Sequence, residues 1–513
     1  MDAVNLTLFA SRIEAVCEEM GAVLQRAAFS PNIRDRLDFS CAVFDAQGEL
    51  CAQAAHIPVH LGSMAYAMRD IVRKIEWHDG DMIVLNDPYF GGTHLPDVTL
   101  IAPLFVGEQL LGFVANRAHH ADIGASSPGS MPVSSSLEEE GMIIPPSNLV
   151  HSGAIDEAMM AHMTGATQHP DHARGDFAAQ ISANHAGVQR LREMIAATGT
   201  DKYIEALRAL NDYAERLACD ALADLPDGEY CFEDVMDDDG QGNADIPIHV
   251  RIKVDGHQIH VDFSGTAQQV QGNINCPLSV AAAGVYYVFR CLMPEQTPAC
   301  AGSFRSIHIE APEGCLLNAK RPAAVAAGNV ETSTRVVDVV TGALAQAIPT
   351  RIPAASHGSM NNVAMGHRGE KGVSWDYYET LGGGMGAGAS GGGWSAVQTH
   401  MTNTLNTPVE VLEMHYPLRI TRYALRDNSG GAGKHAGGDG LVREYEFLQP
   451  ASVTLLTERR RHNPWGLQQG LAGEPGCNKH NDDPLPGKVS LVMQKGDHLT
   501  VMTPGGGGWG KPK

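Results

Sequence analysis

The chain has 513 residues, too many for one ordinary hydrophobic core, so two to four packed subdomains are expected. Its composition is that of a globular protein, 43% hydrophobic, 19% charged and 6% aromatic, and no run of 18 apolar residues offers a membrane span. With 37 basic against 59 acidic residues the formal charge is −22, which repels phosphate backbones and anionic membranes and argues against nucleic acid or membrane as a main partner.

A helix is expected over residues 6–27, because Phe9, Ile13, Val16, Met20, Val23, Leu24 and Ala27 recur at three- and four-residue steps. Pro31 is expected to end it. Residues 41–44 and 50–52 flank Asp45-Ala46-Gln47-Gly48, a hairpin signal. A second helix is expected over 62–75 and a short apolar strand over 82–86. Residues 98–106 and 110–115 flank Gly107-Glu108-Gln109, a second hairpin. Residues 155–222 read as helical, with one stripe at Leu191 and Ile195 and another at Leu207, Leu210 and Leu217. Residues 246–254 alternate apolar and polar, Asp255-Gly256 turns the chain, and 258–263 return. Residues 278–293 and 333–348 read as buried helices, and from about 373 short strands alternate with glycine-rich loops. The predicted class is therefore α+β in several subdomains. These are an N-terminal α/β part (1–150), a helical segment (151–225), a second α/β part (226–370) and a β-rich part with glycine loops (371–513).

Ten cysteines without CxxC spacing suit a reduced compartment better than a disulfide framework. The start, Met1-Asp2-Ala3-Val4-Asn5, lacks the basic and apolar regions of a signal peptide, so a cytoplasmic location is expected.

The residues that carry chemistry gather around the second hairpin. Asn86-Asp87-Pro88-Tyr89-Phe90-Gly91-Gly92-Thr93-His94-Leu95-Pro96-Asp97 leads into its first strand, and Asn116-Arg117-Ala118-His119-His120-Ala121-Asp122 closes its second. Those two ends of an antiparallel pair are neighbours, so His94 and Asp97 are expected beside His119 and Asp122. Imidazole with carboxylate is the ligand set of zinc, manganese or iron sites. The competing reading is a group of loop residues that make caps and turns. Asp38, in Leu37-Asp38-Phe39-Ser40, is a further carboxylate candidate, although an Asp at a strand start is often a cap. A bound divalent ion would acidify its water, and His120 would be a ligand, a proton shuttle or a positioning residue, roles the sequence leaves open.

Glycine is the compositional outlier, with 56 residues clustered toward the carboxy-terminal half as ordered loops. The runs at 382–388 and 391–393 would either present N–H groups to an anion or form turns that need positive φ. Gly505-x-Gly507-x-x-Gly510 has no helix after it, and Gly433-Lys434-His435 lacks the upstream Gly and the Ser/Thr of a phosphate loop, so no nucleotide site is expected.

With these motifs the chain resembles the hydantoinase B (HyuB) family, which comprises the B subunit of N-methylhydantoinases and the matching half of 5-oxoprolinase. The alpha subunit of acetone carboxylase is a more distant relative. The resemblance runs through Arg34-Asp35-Arg36-Leu37-Asp38-Phe39-Ser40, the 86–97 and 119–124 strings, Asp262-Phe263-Ser264-Gly265-Thr266 and Gly328-Asn329-Val330-Glu331-Thr332-Ser333. It continues through Met401–Glu410 and Pro504–Gly510. One departure is Ala125, where family members often carry a second Gly after Asp-Ile-Gly.

The resemblance implies a division of labour. A HyuA-type partner subunit with an actin-like fold uses ATP to phosphorylate the carbonyl oxygen of a cyclic imide or lactam, and this chain completes ring opening, with an α2β2 heterotetramer as the expected assembly. It implies a divalent metal (Mn, Zn, Fe or Co) at His94, Asp97 and His119, with Asp38 a further ligand. On that scheme His120 and Asp122 are expected to manage protons, and N–H groups at Gly91, Gly92, Gly383 and Gly384 to hold a phosphate or ring carboxylate. The competing functions are a subunit of an ATP-dependent ketone carboxylase, a non-catalytic scaffold for the A subunit, and a self-sufficient metallohydrolase.

Overall fold

Asp2 caps the first helix, α1 (Ala3–Ala27), by accepting the Asn5 N–H at 2.8 Å; of the expected stripe Phe9, Ile13, Val16, Met20 and Leu24 are buried, whereas Val23 is half-buried and Ala27 exposed. This is a computed structural model, and it describes residues 2–54, 56–369 and 374–513. The helix stops before Pro31, with Ala28 already extended. Pro31 does not end it; it opens the short helix α2 (Pro31–Arg34), at a position where its missing N–H costs nothing.

The first hairpin forms as expected from β1 (Phe39–Asp45) and β2 (Leu50–Gln53). The next helix, α3 (Pro58–Arg73), starts four residues earlier than its apolar pattern indicates, because Pro58 is also a first-turn proline. Then come β3 (Met82–Leu85), β4 (Asp97–Val106), β5 (Gln109–His119), β6 (Ser147–His151) and β7 (Ala154–Ile155). Together these strands make one antiparallel sheet in the order β2-β1-β5-β4-β3-β6-β7. Alternation along β4 sends Val98, Leu100 and Ala102 into a core with Ile13, Met20 and Phe177, and Ile101 into a core with Met64, Met68 and Phe113. The sheet is therefore buried on both faces.

The expected helical stretch is divided into α4 (Glu157–Gly165), α5 (Pro170–Thr198) and α6 (Thr200–Leu222). A second sheet has β8 (Gly228–Asp238), β9 (Ala244–Asp255), β10 (Gln258–Asp262) and, beyond α7 (Leu278–Leu292), β11 (Ile307–Glu310), in the order β11-β10-β9-β8. The β9–β10 hairpin is the one its alternation indicated, whereas β8 was not expected. α8 (Ser333–Ala347) follows a π-helical turn over Gly328–Thr332.

The remaining strands are β12 (Asn362–His367), β13 (Trp375–Glu379), β14 (Leu418–Arg426), β15 (Gly440–Phe447), β16 (Ala451–Leu456), β17 (Cys477–His480), β18 (Asp483–Leu485), β19 (Lys488–Met493) and β20 (His498–Met502), with α9 (Val409–His415) before β14. They form two sheets, β13-β12-β16-β19 and β14-β15-β20-β17-β18. The α+β class holds. The boundary expected near 370 lies outside the described residues. Among the described residues no helix is long and apolar enough to cross a membrane.

The glycine runs pack backbone against backbone. A Cβ on Gly384 would lie 2.0 Å from the Gly438 carbonyl oxygen, and one on Gly506 would lie 2.1 Å from the Met385 oxygen. In the runs at 382–393, 430–438 and 505–508 no glycine has positive φ. Close approach, not a left-handed backbone, is what excludes a side chain at most of these glycines, Gly388 and Gly391 having open space instead.

Candidate metal centre

The loop before β4 is folded tightly enough to return His94 to the strand. Asp87 caps the 3₁₀ turn Pro88–Phe90 by accepting the Tyr89 N–H at 3.0 Å, and Gly91 leaves it at φ 96°. Asn86 pins both sides of the loop. Its Nδ2 donates to the Leu95 and Met142 carbonyls at 2.8 and 2.9 Å, and its Oδ1 accepts from the Ile144 N–H at 2.6 Å. Arg117 is fully buried and donates to Thr99 Oγ1, Ser63 Oγ and the Gly91 carbonyl at 2.8, 2.7 and 3.0 Å. It ties β4, α3 and the loop to β5.

Register does the rest. Asp97, the first residue of β4, pairs directly with His119, the last of β5. His94 Nε2 and His119 Nδ1 each lie 3.2 Å from Asp97 Oδ1. All three side chains are buried, and they are the one group of three or more such residues, among those described, whose ligand atoms lie within 4.8 Å of one another. The rings of His94 and His119 are 5.1 Å apart, and His119 stacks on Tyr378 at 4.9 Å.

Hydrogen bonding fixes the imidazole tautomers. His94 Nδ1 meets the Ala326 carbonyl at 3.0 Å and His119 Nδ1 meets Asp97, so both Nδ1 atoms carry hydrogen. Both Nε2 atoms are buried and make no hydrogen bond among the described residues, His94 Nε2 facing Asp97 Oδ1 at 3.2 Å. Burial pushes the pKa of His94 down, but Asp97 and the Ala326 carbonyl outweigh it and leave it raised. Burial alone would lift Asp97, yet His60, His94 and His119 hold it well below the usual carboxylate range. Burial depresses His119. Two imidazoles and an ionised carboxylate, buried with their ligand atoms within 4.8 Å of one another, fit a divalent cation.

Sequence reasoning missed several residues around Asp97. His60 Nε2, from α3, lies 3.2 Å from Asp97 Oδ2, which also accepts from Thr93 Oγ1 at 2.5 Å and Asn329 Nδ2 at 3.1 Å. Asn329 comes from the π-helical turn, a feature enriched at functional sites. Its place in Gly328-Asn329-Val330-Glu331 was the one available signal; His60 had none. Buried Glu140 accepts the Val325 and Ala326 N–H groups, both at 2.9 Å, and so fixes the carbonyl that orients His94. Burial raises Glu140 to about 7 and Glu331 to about 8.

Asp38 stands just outside the group of three. Its Oδ1 is 3.9 Å from His60 Nε2, its Oδ2 is 3.9 Å from Arg36, and its carbonyl accepts the His119 N–H at 3.0 Å. The two residues expected to handle protons are not brought to the cluster. His120 follows His119 in the chain and is engaged elsewhere: its ring stacks on Phe177 at 4.4 Å and its Nε2 meets Gln180 Oε1 at 2.9 Å. Asp122 is occupied by the N–H groups of Gly124 and Gln168 at 2.8 and 2.7 Å. The glycines expected to hold an anion also do other work. The Gly92, Gly383 and Gly384 N–H groups donate to the carbonyls of Asp87, Val397 and Pro504, and Gly91 serves as the left-handed turn residue.

The sequence matches the hydantoinase B/oxoprolinase family over residues 2–512, and the chain belongs to that family. An uncharacterized protein of Methanocaldococcus jannaschii is 41% identical over 100% of this chain and 91% of its own length. The 5-oxoprolinase 1 of Arabidopsis thaliana is 38% identical over 99% of this chain but 42% of its own length, so the chain spans less than half of that relative. The crystal structure of the ATP-dependent caprolactamase from Pseudomonas jessenii superimposes with a TM-score of 0.92 at 28% identity, covering 100% of this chain and 91% of the other.

Proposed function

We propose that this chain is the ring-opening component of an ATP-dependent cyclic amide hydrolase, acting with an ATP-using HyuA-type partner on a lactam or imide. The observation that carries the reading is the buried group of His94, Asp97 and His119, whose ligand atoms lie within 4.8 Å of one another. His94, Asp97 and His119 would hold a divalent ion, with Asp38, whose carboxylate lies 3.9 Å from His60, as a further ligand. Such an ion supplies Lewis-acid polarisation of an amide oxygen and a more acidic water. The protein's share is to orient and to exclude. Ala326 and Asp97 fix the imidazole tautomers, His60, Thr93 and Asn329 hold the carboxylate, and Tyr378 covers His119.

Two further facts support a partner. The sequence contains no phosphate-binding loop, while the caprolactamase it resembles is ATP-dependent. The plant 5-oxoprolinase carries more than half of its length outside the part this chain matches.

The test is metal analysis and ATP-dependent turnover of hydantoin, N-methylhydantoin, 5-oxoproline and caprolactam, with the partner co-purified. The expected result is bound metal and turnover of one ring in the wild type, and loss of both in His94→Ala/His119→Ala. Metal retained by the double variant would overturn the ligand assignment. Metal without ring turnover, but with bicarbonate-dependent consumption of a ketone, would overturn the hydrolase reading in favour of carboxylation.

A further inference from the structure

Glu331 is a buried acid that the proposed chemistry does not use, and it lies in the same π-helical turn as Asn329. Residues two apart on a helical turn point to nearly opposite sides, so the pair reaches two different neighbours. Asn329 donates to Asp97 Oδ2, as described above. Glu331 turns to the start of β12, where its Oε1 accepts the Met360 N–H at 2.9 Å and Asn362 Nδ2 at 2.7 Å.

Asn362 carries the contact onward. Its Nδ2 also donates to the Leu456 carbonyl at 2.8 Å, so the amide nitrogen is committed on that side and Oδ1 accepts the Tyr378 hydroxyl at 2.6 Å. Tyr378, in β13, is held at its other end by Arg36, which donates to its carbonyl at 2.6 Å and lies over its ring at 4.9 Å. The ring is thereby fixed nearly parallel to that of His119, with 11° between the planes. Because His119 also pairs with Asp97, the path closes on itself: Asp97, Asn329, Glu331, Asn362, Tyr378, His119 and back to Asp97. Both of its ends land on residues of the metal centre, and every member is 2% exposed or less.

A buried carboxyl is costly, and an apolar side chain would fill its space more cheaply. What Glu331 supplies is one oxygen that accepts two N–H groups at once. Burial pushes its pKa up to about 8, so the protonated acid predominates at neutral pH. Oε1 then serves as a carbonyl oxygen, a role that a glutamine amide reproduces.

We propose that Glu331 is a positioning residue of the metal centre, setting Tyr378 against His119 through Asn362 and presenting Asn329 to Asp97 through the π-helical turn. This role presupposes the metal centre proposed above. The probe is Co²⁺, titrated into the metal-free full chain, with affinity read by calorimetry and ligand geometry by the visible absorption of the bound ion. The wild type is expected to bind one Co²⁺. Glu331→Leu is expected to weaken binding at least tenfold and to shift the absorption, whereas Glu331→Gln, which keeps the acceptor oxygen, is expected to stay within threefold of wild type. Tyr378→Phe keeps the ring and removes only the hydroxyl, so it stands as a test even if Glu331→Leu fails to fold. It is expected to weaken binding severalfold and to add nothing further in Glu331→Leu/Tyr378→Phe, because both changes break one path. Failure of the wild type to bind Co²⁺ would overturn the metal centre itself, and this role with it. Wild-type binding with unchanged affinity and absorption in Tyr378→Phe, additive losses in the double variant, or Glu331→Gln as weak as Glu331→Leu would each overturn the positioning role and leave the metal centre standing.

Discussion

His94 is set up as a ligand by residues that never touch the ion it would hold. Its Nδ1–H is taken by the Ala326 carbonyl, and that carbonyl is held in place by Glu140, which grips the N–H groups of Val325 and Ala326. Burial raises Glu140 from 4.5 to about 7, so the folded protein favours its protonated form. A raised folded pKa contributes stability that is fully present below the unfolded value and is lost as pH rises through the folded one. The loss is on the order of 3 kcal/mol for this fully buried group. Glu140→Gln keeps the acceptor oxygen and removes the titration. Its unfolding stability between pH 5 and 8 is therefore expected to fall less with pH than the wild type's. Parallel pH profiles from urea unfolding would show that Glu140 is not the responsible group. At this scale the sequence was legible where residues sit at hairpin ends, because two strands of known length bring Asp97 and His119 face to face. It was silent for His60, a lone histidine on a helix, and for Glu140, whose partners lie 185 and 186 residues further along the chain.

Among the elements, hairpins were readable because their register is set by local turns. The placement of β1 between β2 and β5, or of β3 between β4 and β6, was not, because it depends on which buried faces find each other. The glycine segments were legible as ordered but not in their purpose. Most of their N–H groups already bond neighbouring backbone, so they form a layer and not an anion cradle. That layer makes a sharp prediction. In Gly384→Ala the new methyl would meet Gly438 oxygen at 2.0 Å and Gly506 nitrogen at 2.3 Å, both main-chain atoms that cannot swing aside. Such overpacking is expected to cost about 3 kcal/mol or more. Gly388→Ala, with nothing within 4 Å of the added Cβ, is expected to stay within roughly 0.5 kcal/mol of wild type. Equal unfolding midpoints for the two variants would mean the layer yields more readily than its geometry implies.

Across the whole molecule, the second sheet is joined to the carboxy-terminal strands by buried charge. Arg459, just beyond β16, reaches Asp234 of β8 at 2.6 Å and Asp338 of α8 at 2.5 Å. Beside it, Glu458 pairs with Arg335 of α8 at 3.2 Å and with Lys488 of β19 at 2.5 Å. These partners are 30 to 225 residues apart, which is why no motif announced them. Burial works against ionising Asp234, yet Arg459 and Arg335 overcome it and hold the carboxyl at about 2. Arg459→Met would leave Asp338 without its closest partner and Asp234 with only Arg335, at 3.5 Å. Breaking a buried pair from one side costs about 3–5 kcal/mol, because the remaining charge stays desolvated. Replacing both sides is far cheaper, so Arg459→Met/Asp338→Leu is expected to recover at least half of that loss. Urea unfolding followed by both tryptophan fluorescence and far-ultraviolet circular dichroism would measure it. If the network couples the sheets, the two signals shift together in Arg459→Met; a shift in one signal alone would mean that the sheets unfold independently and the ion pairs serve only local packing.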